Sequence, residues 1–239
     1  MSGPIVRAEG LTKVYGSGTA AVRVFEDLSM EVGAGEFVAV VGPSGCGKST
    51  LLHLLGGIDS PDSGFVEIDG VRMSSLDGAG RAKLRNERIG FVFQFHHLLP
   101  EFSAAENVAL PLRIAGVPAR EARRRAEEIL ERVGLADRAD HFPSEMSGGE
   151  LQRAAVGRAI ARKPKVILAD EPTGNLDRAN AERVFLLLRD VQRESAGSVV
   201  LVTHDADLAS RCDKIHSMST QGIDRGSPAA DRGAGSPDV

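Results

Sequence analysis

Residues 42–49 constrain this chain more than any other stretch. Phe37-Val38-Ala39-Val40-Val41 is a continuous apolar run of strand length, the pattern of a strand buried on both faces of a parallel sheet. Gly42-Pro43-Ser44-Gly45-Cys46-Gly47-Lys48-Ser49 follows it and fits the phosphate-loop pattern G-x-x-x-x-G-K-[ST]. Lys48 through Leu55 then has helix-forming composition and stops at Gly56-Gly57. Strand, glycine loop and helix in that order predict a nucleotide site. The glycines let backbone N–H groups point inward, and the helix N-terminus adds partial positive charge where phosphates sit. Lys48 is placed to reach the β- and γ-phosphates, and the Ser49 hydroxyl to ligate Mg²⁺. Cys46 reads as a small side chain. Its place at a helix N-terminus favours a reactive thiol, so alkylation is expected to inhibit and ATP to protect.

Two further strand ends point to the same edge. Val166-Ile167-Leu168-Ala169-Asp170-Glu171 is an apolar run closed by two carboxylates. Successive residues on an extended strand face opposite ways, so one acid is expected to serve Mg²⁺, through water, and the other the attacking water. Val199-Val200-Leu201-Val202-Thr203-His204 puts a histidine just past a third buried strand. Ligand sites in open α/β sheets lie at the carboxyl ends of strands, so His204 is placed to reach a γ-phosphate.

Around these strands, residues 5–32 alternate apolar and polar and read as an antiparallel piece with a turn at Gly16-Ser17-Gly18. Phe65-Val66-Glu67-Ile68 and Ile89-Gly90-Phe91-Val92-Phe93 are further strands. Residues 104–135 read as helical, most clearly at 119–133, with a stop at Gly134. Helices are also read at 149–162 and 181–193. Strands alternating with helices predict an α/β fold with a mainly parallel sheet. The helix-only stretch at about 96–150 suggests an inserted helical subdomain. The tail 222–239, rich in Gly, Ser, Pro, Asp and Arg, is expected to be disordered.

Composition removes several function classes. The 239 residues carry a net charge of −4, with one Tyr, nine Phe and no Trp. A nucleic-acid binder would want a basic stripe and stacking aromatics, so no nucleic-acid partner is expected. No run of about 18 apolar residues exists to span a membrane. The two cysteines, Cys46 and Cys212, have no metal spacing and make no disulfide framework.

Met146-Ser147-Gly148-Gly149-Glu150 opens a helix with Ser147 as N-cap and glycines that expose backbone donors. The ordered set is the phosphate loop, Gln94 after a strand, Ser147-Gly148-Gly149, the acidic strand end, Asn175-Leu176-Asp177 and His204. It resembles the ABC-transporter ATPase family over about residues 5–218. The resemblance implies a RecA-like P-loop core, an ATPase domain at 1–221, ATP and Mg²⁺ as ligands, and roles by position. Tyr15 matches the aromatic that stacks on adenine. Gly42, Pro43, Ser44, Gly45, Cys46 and Gly47 form the phosphate loop, and Lys48, Ser49 and Thr50 hold phosphates and Mg²⁺. Gln94 senses metal and attacking water, and Asp170 serves the metal. Ser147, Gly148 and Gly149 cap the ATP of the opposite subunit, and Asp177 lies in the loop that crosses the dimer. Glu171 matches the catalytic base and His204 the γ-phosphate switch. Met146 departs from the usual Leu, a swap of similar volume with little expected effect.

Within the family, Gln94-Phe95-His96-His97-Leu98-Leu99-Pro100-Glu101-Phe102 and Glu106-Asn107-Val108-Ala109-Leu110-Pro111-Leu112 look like the LolD type, from lipoprotein-releasing systems. Read as residues alone, His96-His97 would be a metal site only with further ligands nearby. The likeness implies a homodimer bound to two different integral permease chains, peripheral on the cytoplasmic face of a bacterial inner membrane. Alternatives are the ATPase of a macrolide- or peptide-efflux system, or of a complex controlling cell-wall hydrolases during division. A soluble ATPase acting on ribosomes or DNA is disfavoured by the single ATPase unit, the acidic balance and the few aromatics.

Overall fold

The computed structural model describes residues 3–195, 197–219, 222–224 and 227–228. In chain order the elements are β1 (Val6–Tyr15), β2 (Val22–Val32), β3 (Phe37–Val41), α1 (Lys48–Leu55), β4 (Ser63–Ile68), β5 (Val71–Arg72), α2 (Gly78–Arg88) and β6 (Ile89–Phe93). There follow α3 (Ala104–Ile114), α4 (Ala119–Arg132), α5 (Gly148–Ile160), β7 (Val166–Asp170), α6 (Arg178–Ser195), β8 (Ser198–Val202), α7 (Ala206–Ser210), β9 (Lys214–Ser219), β10 (Gly222–Ile223) and β11 (Ser227–Pro228).

Two sheets result. An antiparallel one has the order β2-β1-β4-β5, and the other runs β10-β9-β3-β8-β7-β6. In the second, β9, β3, β8, β7 and β6 are all parallel. The apolar runs are explained by burial on both faces. Phe37, Ala39, Ile167, Ala169, Val199 and Leu201 face a core built with α3 to α7. Their neighbours Val38, Val40, Val166, Leu168, Val200 and Val202 face a second core shared with α1 and the antiparallel sheet. A strand sandwiched in this way has no solvent face, so its sequence does not alternate.

The structure departs from the sequence expectations in five places. Residues 104–135 hold two helices rather than one run, because Gly116 turns with φ 83° and Pro118 lies just before α4. Helix α2 had no clear signal: it opens with Gly-Ala-Gly, and the Asp77 carboxylate caps it by accepting from the Gly80 N–H at 2.7 Å. The closing α7 and β9 were not read either. Within the tail, Gly222–Ile223 and Ser227–Pro228 pair with β9 as short strands where disorder was expected; residues 229–239 lie outside the described residues. Finally, Glu171 is not extended but left-handed, with φ 43°.

Candidate functional site

The phosphate loop leaves the carboxyl end of β3, with β8 on one side and β9 on the other. Its glycines answer to close packing. A Cβ on Gly42 would lie 2.3 Å from the Met218 carbonyl oxygen, and one on Gly47 2.5 Å from a Val24 methyl. Gly47 also has φ 101° as the residue capping α1, a region that favours glycine. The Lys48 side chain, only 7% exposed, folds back over the loop. Its Nζ donates to the carbonyls of Gly42 at 2.8 Å and Pro43 at 3.0 Å. Cys46 is 2% exposed and belongs to the core beneath the loop. Its thiol is therefore shielded with or without a ligand, which removes the basis for nucleotide-protected alkylation.

Asp170 ends β7 beside the loop. Burial, helped by the neighbouring Glu171, pushes its carboxyl up from the ordinary value, against the Ser49 hydroxyl, which hydrogen-bonds to it, and the nearby His53 and Lys48. Its Oδ1 is buried without a hydrogen-bond partner among the described residues. An orphaned carboxylate oxygen beside a serine hydroxyl is an oxygen donor set of the kind Mg²⁺ takes, with water completing its shell. Gln94, the third expected metal contact, is engaged elsewhere: its Nε2 donates to Asn175 Oδ1 at 3.3 Å. Among the described residues no group of three or more His, Cys, Asp or Glu gathers as a metal site. His96 instead meets Gln152 Oε1 at 2.5 Å.

Glu171 turns away from Asp170 because its backbone leaves the strand. Its N–H donates to the Val202 carbonyl at 3.0 Å, and its Oε2 lies 2.9 Å from His204 Nδ1. The His204 side chain is 66% exposed and lines an open cleft. This cleft runs from Glu171, Gly174 and His204 to Glu182 of α6 and Leu208 of α7, with a volume of about 1080 Å³, and the phosphate loop does not line it. A Cβ on Gly174 would lie 2.9 Å from Gln94 Nε2 and 3.3 Å from Glu171 Oε2. Gly174 is thus the gap that lets Gln94 and Glu171 flank one space, a role with no separate signal in the sequence.

Ser147 caps α5 in a reciprocal box with Glu150, and Ser147 and Gly148 are exposed. The Ser147 N–H and hydroxyl, helped by Arg138, hold the Glu150 carboxyl down to about 2. Asp177 accepts from Asn180 N at 2.9 Å and Asn180 Nδ2 at 2.6 Å. Gly149 packs against that same asparagine, so the start of α5 and the start of α6 are joined. Tyr15 lies on the far side of the loop, its phenol bonded to Asp59 Oδ2 at 2.8 Å and to Thr50 of α1. No described helix is long and apolar enough to cross a membrane.

Comparison with known proteins agrees with this arrangement. The ABC transporter family model matches residues 25–174. The lipoprotein-releasing system ATP-binding protein LolD of Bordetella pertussis is 54% identical over 213 residues, covering 89% of this chain and 92% of that protein. LolD of Xylella fastidiosa is 50% identical over 223 residues, covering 93% of each. Among solved structures, a dimeric ATP-binding cassette in a post-hydrolysis state, bound to ADP and Pi, matches with a TM-score of 0.86. It is 37% identical, with 94% of this chain and 98% of that one covered. A second dimeric structure of the same cassette, described as a bacterial ABC transporter cassette, matches equally well. With a P-loop NTPase fold and this likeness along nearly its whole length, the chain belongs to the ABC transporter family and is one of its ATPase subunits.

Proposed function

We propose that this chain powers release of lipoproteins from a bacterial inner membrane, as a homodimer docked on the cytoplasmic face of two different permease chains. The observation that carries the chemistry is the convergence of the phosphate loop, Asp170, Glu171 and His204 at the carboxyl ends of β3, β7 and β8. The likeness to LolD proteins at 50–54% identity supports the cargo.

ATP lies with its phosphates in the loop formed by Gly42, Pro43, Ser44, Gly45, Cys46 and Gly47, and its adenine on Tyr15. Cys46 contributes its backbone only. Lys48 exchanges two neutral carbonyls for phosphate oxygens, a gain from charged acceptors. Ser49 and Asp170 would hold Mg²⁺, with Thr50 next in the chain. Bound Mg²⁺ supplies neutralisation of charge on the β- and γ-phosphate oxygens. Glu171 orients the attacking water and takes its proton, held in place by its backbone bond to Val202 and by His204. The exposed edge of His204 meets the γ-phosphate. Gln94 swings from Asn175 toward the water and metal across the gap at Gly174. Ser147, Gly148 and Gly149 present the N-terminus of α5 to the ATP of the second subunit, while Asp177 sits in the crossing loop. Hydrolysis breaks the bond to the γ-phosphate, and departure of the freed phosphate removes the charge that bridges the two subunits, so the pair opens.

The permease chains dock on the cleft of about 320 Å³ between α3 and α4, lined by Phe102, Ala105, Ala109, Leu110 and Arg113. Phe95, Leu99 and Ile114, in the same stretch of chain, are also exposed. The ATPase domain, expected at 1–221, extends to β10 and β11, which pair with β9, and carries the helical insertion at about 96–150.

The test is affinity capture of Glu171→Gln from native membranes with ATP and Mg²⁺. Two distinct permease chains with acylated proteins are the expected yield. A single efflux-type or division-type partner would replace the cargo assignment. Absence of any membrane chain would remove the transport role.

A further inference from the structure

We propose that Lys13 and Asp59 are positioning residues that hold Tyr15 as a one-sided platform for the adenine base. The inference rests on the placement of adenine at Tyr15 proposed above. Lys13 and Tyr15 are two residues apart on β1 and so share a face. Lys13 Nζ lies 4.9 Å from the Tyr15 ring centroid. It also donates to Asp59 Oδ1 at 3.0 Å and the Ser60 carbonyl at 2.8 Å. Asp59 accepts in turn from the Tyr15 phenol at 2.8 Å. One carboxylate therefore ties together an ammonium and the phenol beneath which it sits.

The arrangement is costly unless it does something. Lys13 is only 7% exposed, and an ammonium out of water needs full compensation. Asp59, the Ser60 carbonyl and the ring face supply it. The 59–62 segment is itself fastened to β1, because Val14 N donates to Asp62 Oδ2 at 2.7 Å and Asp62 N to the Thr12 carbonyl at 2.9 Å. Thr50 holds the phenol from the phosphate-loop side. The ring is thus fixed at its hydroxyl and over one face, while the Tyr15 side chain as a whole stays accessible, at 44% exposure. The ammonium draws on the π-density of the face it covers, leaving the opposite face to stack. A ring immobilised beforehand loses little freedom when the base arrives.

Tyr15 is the single tyrosine in a chain without tryptophan, so ultraviolet emission and phenol absorbance report this ring alone. The phenol titrates above its ordinary value, through burial first and then the Asp59 bond, with Lys13 opposing. Asp59→Asn should therefore lower that value and Lys13→Met should raise it.

The experiment compares binding of ADP and of inorganic tripolyphosphate, which has no base, to the full chain and its variants. Lys13→Met and Asp59→Asn are expected to weaken ADP roughly tenfold, the scale of one charge-assisted contact, and to leave tripolyphosphate within about twofold. Lys13→Arg, which keeps the cation, should restore most of the ADP affinity and reads the role if the Met variant fails to fold. Equal loss for both ligands would make the pair merely structural and overturn the proposal. Unchanged ADP binding in both variants, with Tyr15→Ala still weakened, would overturn it while leaving adenine at Tyr15. Unchanged ADP binding in Tyr15→Ala would remove the adenine placement and the proposal together.

Discussion

At the scale of single residues, the site depends on where two carboxylates point. Asp170 completes a strand and stays half-buried beside Ser49, whereas Glu171 adopts a left-handed backbone and reaches His204. Such a conformation costs of order 1–3 kcal/mol in a residue other than glycine, and the bond to the Val202 carbonyl helps to hold it. Glu171→Gln keeps the shape and loses the proposed base. It should bind ATP normally and release phosphate roughly 10²- to 10⁴-fold more slowly; near-normal turnover would remove Glu171 from the role. Gly42→Ala should be among the most damaging small substitutions in the chain. A methyl at 2.3 Å from the Met218 carbonyl has to displace backbone on β9, so both thermal stability and nucleotide affinity should fall. An unchanged melting temperature would contradict that packing.

At the scale of elements, loops near the site are held by side chains of the helices beside them. The buried Asn107 of α3 accepts from Leu99 N at 2.8 Å and donates to the carbonyls of Leu99, Phe102 and Ser103. Asn107→Ala leaves those groups unsatisfied and should cost about 2–4 kcal/mol in denaturant unfolding; a loss under about 1 kcal/mol would show the loop satisfies itself. Gln152 and Arg158 of α5 bond the backbone of Phe93, His96 and His97, so the helix opened by Ser147 also grips the segment after Gln94. Its cap is pH-dependent. Glu150 sits at about 2 when folded, below the ordinary carboxylate value. Its contribution is therefore present above about pH 4.5 and is lost as pH falls toward 2. Glu150→Ala should cost about 1 kcal/mol at neutral pH and nearly nothing at pH 2, as read by unfolding at both values. An equal cost at both would show that the carboxylate charge is irrelevant to the cap.

At the scale of the whole molecule, one chain carries two anion-friendly helix starts, at Lys48 and at Gly148. A single ATP cannot need both from the same chain if they serve opposite sides of a dimer. Glu171→Gln with ATP and Mg²⁺ should therefore double its mass in light scattering. Ser147→Arg in the same chain should bind ATP and stay monomeric. ATP-independent mass in both would break the link between nucleotide and pairing.

The sequence by itself determined the parallel strands, the phosphate loop and the order of the motifs, because each depends on neighbours within a few residues. Strands buried on both faces read as unbroken apolar runs, and a glycine loop feeding a helix is a local instruction. Tertiary structure decided what those residues do to one another. The orphaned Asp170 oxygen, the Glu171–His204 contact and the clamp of Lys13, Asp59 and Tyr15 each join segments distant in the chain. Strand β9 escaped notice because its polar positions, Lys214, His216 and Ser217, dilute the apolar signal; its pairing with β3 supplies what its composition does not. The sequence suggested an accessible Cys46 thiol, and only packing beneath the loop decided otherwise. Local chemistry is written in spacing, whereas burial and the partners it imposes exist only once distant segments meet.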